Sequence, residues 1–205
     1  MDPIFLFFIA ILIMSVVVHE VSHGYAADIL GDPTARLAGR LTLNPSNHLD
    51  MVGSFIVPVF MYFTTGYMLG WAKPVPYNPY NLRKGKWGPA IVAVAGPLSN
   101  IIIAVFFGLL IRLESEMGLP PGFYYIFSLI VYINILLAVF NMLPIPPLDG
   151  SKVLFSVLPY KYQHLEQTLE RYSFVLLLFI VFFAWDYVSF FIEILFKIIT
   201  GANLF

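Results

Sequence analysis

Four long apolar blocks, at about residues 4–30, 89–113, 123–145 and 172–199, decide most of what this chain can become. Each reaches the ~20 residues that an α-helix needs to cross a hydrocarbon layer of ~30 Å. A backbone in lipid has no water to bond, so such blocks must satisfy their own N–H and C=O groups as helices. A further apolar stretch, about 52–69, is interrupted by Gly53, Pro58, Thr64, Thr65 and Gly66 and reads as a broken segment. Composition agrees, with 60% of residues hydrophobic and 11% charged, where soluble domains carry about 25% charged residues. The expected fold is an all-α polytopic membrane protein with about four transmembrane helices plus a re-entrant membrane segment. Five or more full crossings is the alternative. One membrane-embedded domain spans 1–205 in this reading, with a core in 4–152 and a C-terminal helix at 172–199.

Other classes fall away. A net charge of −1 and the lack of any basic tract leave no footprint for nucleic acid. The chain has no cysteine, which excludes disulfides, thiolate metal ligands and thiol catalysis. The opening "MDPIFLFFIAILIMSVVV" has neither a basic leader nor a small-residue cleavage site before His19. It reads as a retained helix, with Pro3 at its start and "LGDP" as its stop.

Lys and Arg supply the topology. If all five stretches cross, Lys73, Arg83, Lys84, Lys86, Lys152, Lys161 and Arg171 face Arg36, Arg40, Arg112 and Lys197 across the membrane. If 52–69 enters and returns, Arg36 and Arg40 change sides, and the chain's 11 basic residues gather on one side save for Arg112 and Lys197. The re-entrant arrangement is the better one. It runs the first and fourth stretches in the same direction, so "HEVSH" and "PPLDG" both come toward the cytoplasmic half of a cell membrane.

"HEVSH" is costly at that depth and so needs a reason. His19 and His23 are spaced i, i+4, so their imidazoles project from one helix face and can grip one ion. Glu20 is turned about 100° from His19, which puts a carboxylate beside an open coordination position. Zinc held by neutral imidazoles lowers the pKa of its water to ~7, and Glu20 can take that proton and pass it to a leaving amine. The bland alternative is a histidine pair satisfied by backbone carbonyls. A catalytic zinc wants a third protein ligand. Ile29 stands where a third histidine of the extended pattern would be, and the next glutamate, Glu114, lies in a far-side loop. Asp149 in "NMLPIPPLDG" is the best candidate, with Gly150 permitting close approach; His48 is its rival.

"HEVSHGYAADILGDPTARLAGRLTLNPSNHLD", "AGPLSN" and "FNMLPIPPLDG" together resemble the site-2 protease family of intramembrane zinc metalloproteases, in its compact bacterial and archaeal form. The likeness runs from the first helix to Gly150. It implies zinc (Zn2+) held by His19, His23 and Asp149, with Glu20 as general base and a re-entrant segment after the first helix. It implies that Asn141 holds the substrate backbone or steadies the oxyanion, as preorganised amides do. Asn100 is placed to support the cavity, and an interhelical hydrogen bond explains it as well.

The expected function is an intramembrane zinc metalloendopeptidase that hydrolyses peptide bonds within or near transmembrane segments. Its partners are then transmembrane-segment substrates and the lipid bilayer, and its water path is lined by Asn141, His48 and Asp50. A metal transporter would stage several ligands across the bilayer, whereas the sequence shows one cluster. An inactive scaffold would have no use for Glu20. "KPVPYNPYN" reads as a connecting loop, or as an edge for a substrate strand. Trp71, Trp87, Tyr77 and Tyr80 read as interfacial anchors, and Asp186 as a packing partner inside the bundle.

Overall fold

A computed structural model describes residues 3–65, 70–113 and 120–204. Gly66 and Glu114 lie outside the described residues. Helix α1 is Pro3–Ile29, and proline suits its first turn because that N–H has no helical partner. Gly31, at φ +106°, ends it with a backbone conformation that other residues avoid. A short α2, Thr34–Leu37, follows, and a π-helical turn at Val52–Ile56 runs into α3, Val57–Thr65. Next come α4 (Trp87–Arg112), α5 (Pro121–Asn141), α6 (Asp149–Val157) and α7 (Gln163–Arg171). Helix α8, Ser173–Phe179, passes through a π-helical stretch at Ile180–Ala184 into α9, Trp185–Thr200.

Among the described residues, four helical spans are long and apolar enough to cross a membrane: Ile4–Ile29, Trp87–Arg112, Gly122–Asn141 and Ser173–Thr200. The described residues contain no strand. The apolar helix at Val52–Thr64 is too short for a crossing, since helices rise only ~1.5 Å per residue. The segment that follows the helix comes back to its first turn. Trp71 N donates to Gly53 O at 3.0 Å, and Ser54 Oγ donates to Trp71 O at 3.0 Å. The chain therefore leaves and returns at one place, which removes the five-crossing alternative.

Helix α4 is the centre, packed against α1, α5, α6 and α9. Ala104, Ile111, Val131, Ile135, Ile180, Val188, Ile192 and Phe196 form the core shared by α4, α5 and the last span. Large apolar residues such as Phe60, Phe63, Phe174 and Phe183 are exposed on outer faces, as lipid contact requires. The basic residues sort by end. Arg83 N bonds Leu30 O, and Arg40 Nη2 bonds Lys73 O, so Arg36, Arg40, Lys73 and Arg83 share the end where α1 stops. Arg112 sits at the opposite end, donating to Ile198 O and Ile199 O. Those are last-turn carbonyls of α9, where a cation is stabilising. Asp186 departs from expectation: it is exposed on the outer face of α9 rather than packed inside.

Candidate active site

His19 and His23 lie on the face of α1 that meets α4, and both are buried. Each ring is fixed through Nδ1. His19 Nδ1 meets Asn100 Oδ1 at 2.6 Å, and His23 Nδ1 meets Val92 O at 2.7 Å. Both acceptors belong to α4. Because a carbonyl oxygen only accepts, each Nδ1 carries the proton, and a neutral ring then presents a bare Nε2.

Those two Nε2 atoms face the same carboxylate oxygen. Asp149 Oδ2 lies 3.1 Å from His19 Nε2 and 3.3 Å from His23 Nε2. Lone pairs on three atoms thus converge in a buried space, and only a cation or added protons make that favourable. Two adjacent imidazolium ions, with ring centroids 4.6 Å apart, would repel one another. One metal ion satisfies all three. Ligands about 2.0–2.1 Å from a tetrahedral zinc are about 3.3 Å from each other, close to the separations seen. His19, His23 and Asp149 are also the group whose ligand atoms all fall within 4.8 Å of one another among the described residues.

Asp149 arrives by a built turn. Helix α5 stops at Asn141, and the "MLPIPPL" turn leads to α6, which begins at Asp149. A Cβ on Gly150 would run into the carbonyl of Met142, so only glycine lets the turn close this tightly. His48 is not in the cluster. Its ring is buried, with Nε2 bonded to Thr42 O at 2.8 Å.

Glu20 points to the loop after the re-entrant excursion, where Val75 N donates to Glu20 Oε2 at 2.9 Å. Flanking prolines leave Val75 as the backbone donor at this point of "KPVPYNPYN". The rest of that segment is held as well. Arg40 Nη2 caps Lys73 O and Pro74 O, Lys73 N bonds His48 O, and Asn78 N bonds Asp32 Oδ2. With Pro74, Pro76 and Pro79 lacking N–H groups, little edge remains for a pairing strand. The connecting-loop reading fits. Tyr77 is half-buried against Ala27, Leu82 and Val92 rather than an interfacial anchor, while Trp71, Trp87 and Tyr80 are exposed.

A match to the model of Peptidase family M50 covers residues 115–184, which include Asp149. Over 173 residues the chain is 36% identical to "Putative zinc metalloprotease YwhC" of Bacillus subtilis (strain 168), covering 82% of this chain and 76% of that protein. The chain belongs to peptidase family M50. It is 30% identical over 153 residues to "Putative zinc metalloprotease Rip2" of Mycolicibacterium smegmatis, covering 74% of this chain and 57% of that protein. A shorter match, 46% over 63 residues, is to "Putative zinc metalloprotease MJ0611" of Methanocaldococcus jannaschii, covering 31% of each chain. No solved structure matches. M50 membership agrees with the site-2 protease resemblance of the motifs.

Asn141 ends α5, with one N–H of its amide donated to Leu137 O at 2.9 Å. Asp50 serves its own turn, accepting from Gly53 N at 2.7 Å. Three features of this M50 chain escape a reading of the motifs. The first is Val92 O as the anchor of His23, made by the fit of α4 on α1. The second is Gly96: a Cβ there would lie 2.6 Å from His19 Nε2 and 2.5 Å from His23 Nε2. Glycine keeps the ion's space open, and its place inside "AGPLSN" is the only sequence trace of that. The third is a set of polar side chains behind His19, at Ser15 and Asn134, which stand out only as polar residues inside apolar runs.

Proposed function

We propose that this protein is a zinc-dependent endopeptidase that cuts peptide bonds in or near transmembrane segments of membrane proteins. The observation that carries the reading is the convergence of two Nε2 lone pairs and one carboxylate oxygen, with Glu20 one residue from His19, inside a helical bundle. His19, His23 and Asp149 would hold the zinc, and Gly96 keeps the space beside their two Nε2 atoms free of a Cβ. When bound, zinc supplies a Lewis acid that polarises the scissile carbonyl and acidifies a water to a pKa of ~7.

Glu20 takes the proton of the attacking water as its oxygen adds to the scissile carbonyl carbon. The same carboxyl then delivers that proton to the amine as the C–N bond breaks. Oε2 is held by Val75 N, which leaves Oε1 for the proton. The second N–H of Asn141 steadies the oxyanion. A substrate helix must open first, because its scissile carbonyl otherwise bonds its own backbone.

The basic end of the bundle supports an orientation in the cell membrane. Nine of the 11 Lys and Arg residues lie at the end where α1 stops, and the positive-inside rule puts that end in the cytoplasm. His19 lies about ten residues from that end of α1, so the site opens toward the cytoplasmic half. A transporter would need further ligand clusters along its path, and the described residues hold one.

The test uses purified protein in liposomes with a single-span substrate protein bearing tags on both ends. Zinc-loaded wild type should release two fragments, and Glu20→Gln should release none while still binding zinc. Equal cleavage by Glu20→Gln would overturn the reading.

A further inference from the structure

Behind His19 a chain of buried amides runs through three helices. Asn100 on α4 accepts from His19 Nδ1, and its Nδ2 donates to Asn134 Oδ1 at 2.8 Å and to Ser15 O at 3.3 Å. Asn134 on α5 donates from Nδ2 to Ser15 Oγ at 3.0 Å and to Ile130 O at 2.9 Å. Asn100 and Asn134 are both 0% exposed. All four N–H bonds of the two amides therefore have acceptors, as burial in a helical bundle demands.

The direction of this chain is forced. Amide oxygen and nitrogen are alike in shape, so neighbours must decide between them. Ile130 O and Ser15 O are carbonyls and can only accept. The atom of Asn134 facing Ile130 O is thus nitrogen, and its oxygen faces Asn100. The atom of Asn100 facing Asn134 is then nitrogen, and its oxygen faces His19. His19 must donate from Nδ1, which leaves the lone pair on Nε2, the nitrogen that faces Asp149.

We infer that Asn134 is a positioning residue: acting through Asn100, it locks His19 in the Nδ1–H tautomer and so makes its Nε2 a metal ligand. Without Asn134, the orientation of Asn100 rests on the longer contact to Ser15 O alone. A flipped Asn100 would offer N–H to His19 Nδ1, move the ring proton to Nε2 and remove the ligand. Asn134 also stands seven residues, two helical turns, before Asn141 on α5. The helix that leads to Asp149 thereby sets the ligand state of His19.

The inference rests on the metal-site reading above, so its test has one readout that needs no metal. Histidine side-chain nitrogen NMR on metal-free protein separates the two tautomers, and the chain has only 4 histidines to assign. Wild type should show His19 as Nδ1–H. Asn134→Leu should show a mixture and bind zinc about ten- to hundredfold more weakly, the usual effect of losing a partner behind a ligand. Asn134→Asp, which keeps an acceptor toward Asn100 whether or not it is protonated, should stay near wild type in both. A merely structural role predicts the reverse order, because leucine suits an apolar core better than a carboxyl group does. A wild-type His19 that is neutral with its proton on Nε2, or an Asn134→Asp as impaired as Asn134→Leu, overturns the proposal, even where the leucine variant does not fold. Wild-type protein with the Nδ1–H tautomer but no zinc affinity would instead count against the metal-site reading alone.

Discussion

Replacing Gly96 with alanine tests the crowded space in front of the two imidazoles. The added Cβ would lie 2.5–2.6 Å from both Nε2 atoms, where ordinary contacts are 3.4–4 Å. In metal-free protein the rings can tilt away from the methyl. In loaded protein they are held 2.0–2.1 Å from the ion, so most of the ~1–3 kcal/mol of overpacking strain falls on the loaded form. That corresponds to zinc binding weakened about 5- to 150-fold. Helix α4 itself gains about 1 kcal/mol from exchanging glycine for alanine, so the fold should persist. Competition against a zinc-chelating dye measures the affinity, and thermal unfolding of the metal-free protein measures the fold. Wild-type zinc affinity in a folded Gly96→Ala protein would refute the reasoning.

Further outcomes follow from other contacts. Val75→Pro removes the N–H that holds Glu20 Oε2; a hydrogen bond to a charged group contributes about 1.5–3 kcal/mol, so kcat should fall at least about tenfold with zinc affinity unchanged in a metal titration. Asn141→Leu should lower kcat by about a hundredfold, with zinc content intact by elemental analysis, if its amide meets the oxyanion. Asp32 is fully buried: burial pushes its pKa up, but donors from Thr34, Asn81 and Asn78 outweigh that and hold it below the usual carboxylate range. A lowered folded-state pKa gives stability that is present above the unfolded value and lost as pH falls toward the folded one. Unfolding midpoints should therefore drop on acidification in wild type, and drop less in Asp32→Asn.

The spans were legible because lipid demands runs of a set length, and the ligand pair because i, i+4 spacing needs only local geometry. Asp149 could be placed beside residues 130 positions away because the distribution of basic residues fixes which helix ends share a side. Contacts across helix faces leave no such period. Asn134 and Ser15 are 119 positions apart, and Val92 contributes a backbone carbonyl that its side chain does not announce. Gly96 looks like any small residue in an apolar helix until His19 and His23 are set against it. Hydropathy is also blind to hydrogen-bond pattern, so the last block reads as one helix although Ile180–Ala184 is π-helical. The outward Asp186 has no explanation in the contacts around it.

The most direct measurement is zinc K-edge X-ray absorption on purified, zinc-loaded protein, beside Asp149→Ala and His19→Ala. Two imidazole nitrogens and carboxylate or water oxygens should surround the ion at about 2.0–2.1 Å, with one imidazole lost in His19→Ala and one oxygen replaced or lost in Asp149→Ala. An all-oxygen shell, or a wild-type spectrum that neither substitution alters, would contradict the shared metal site.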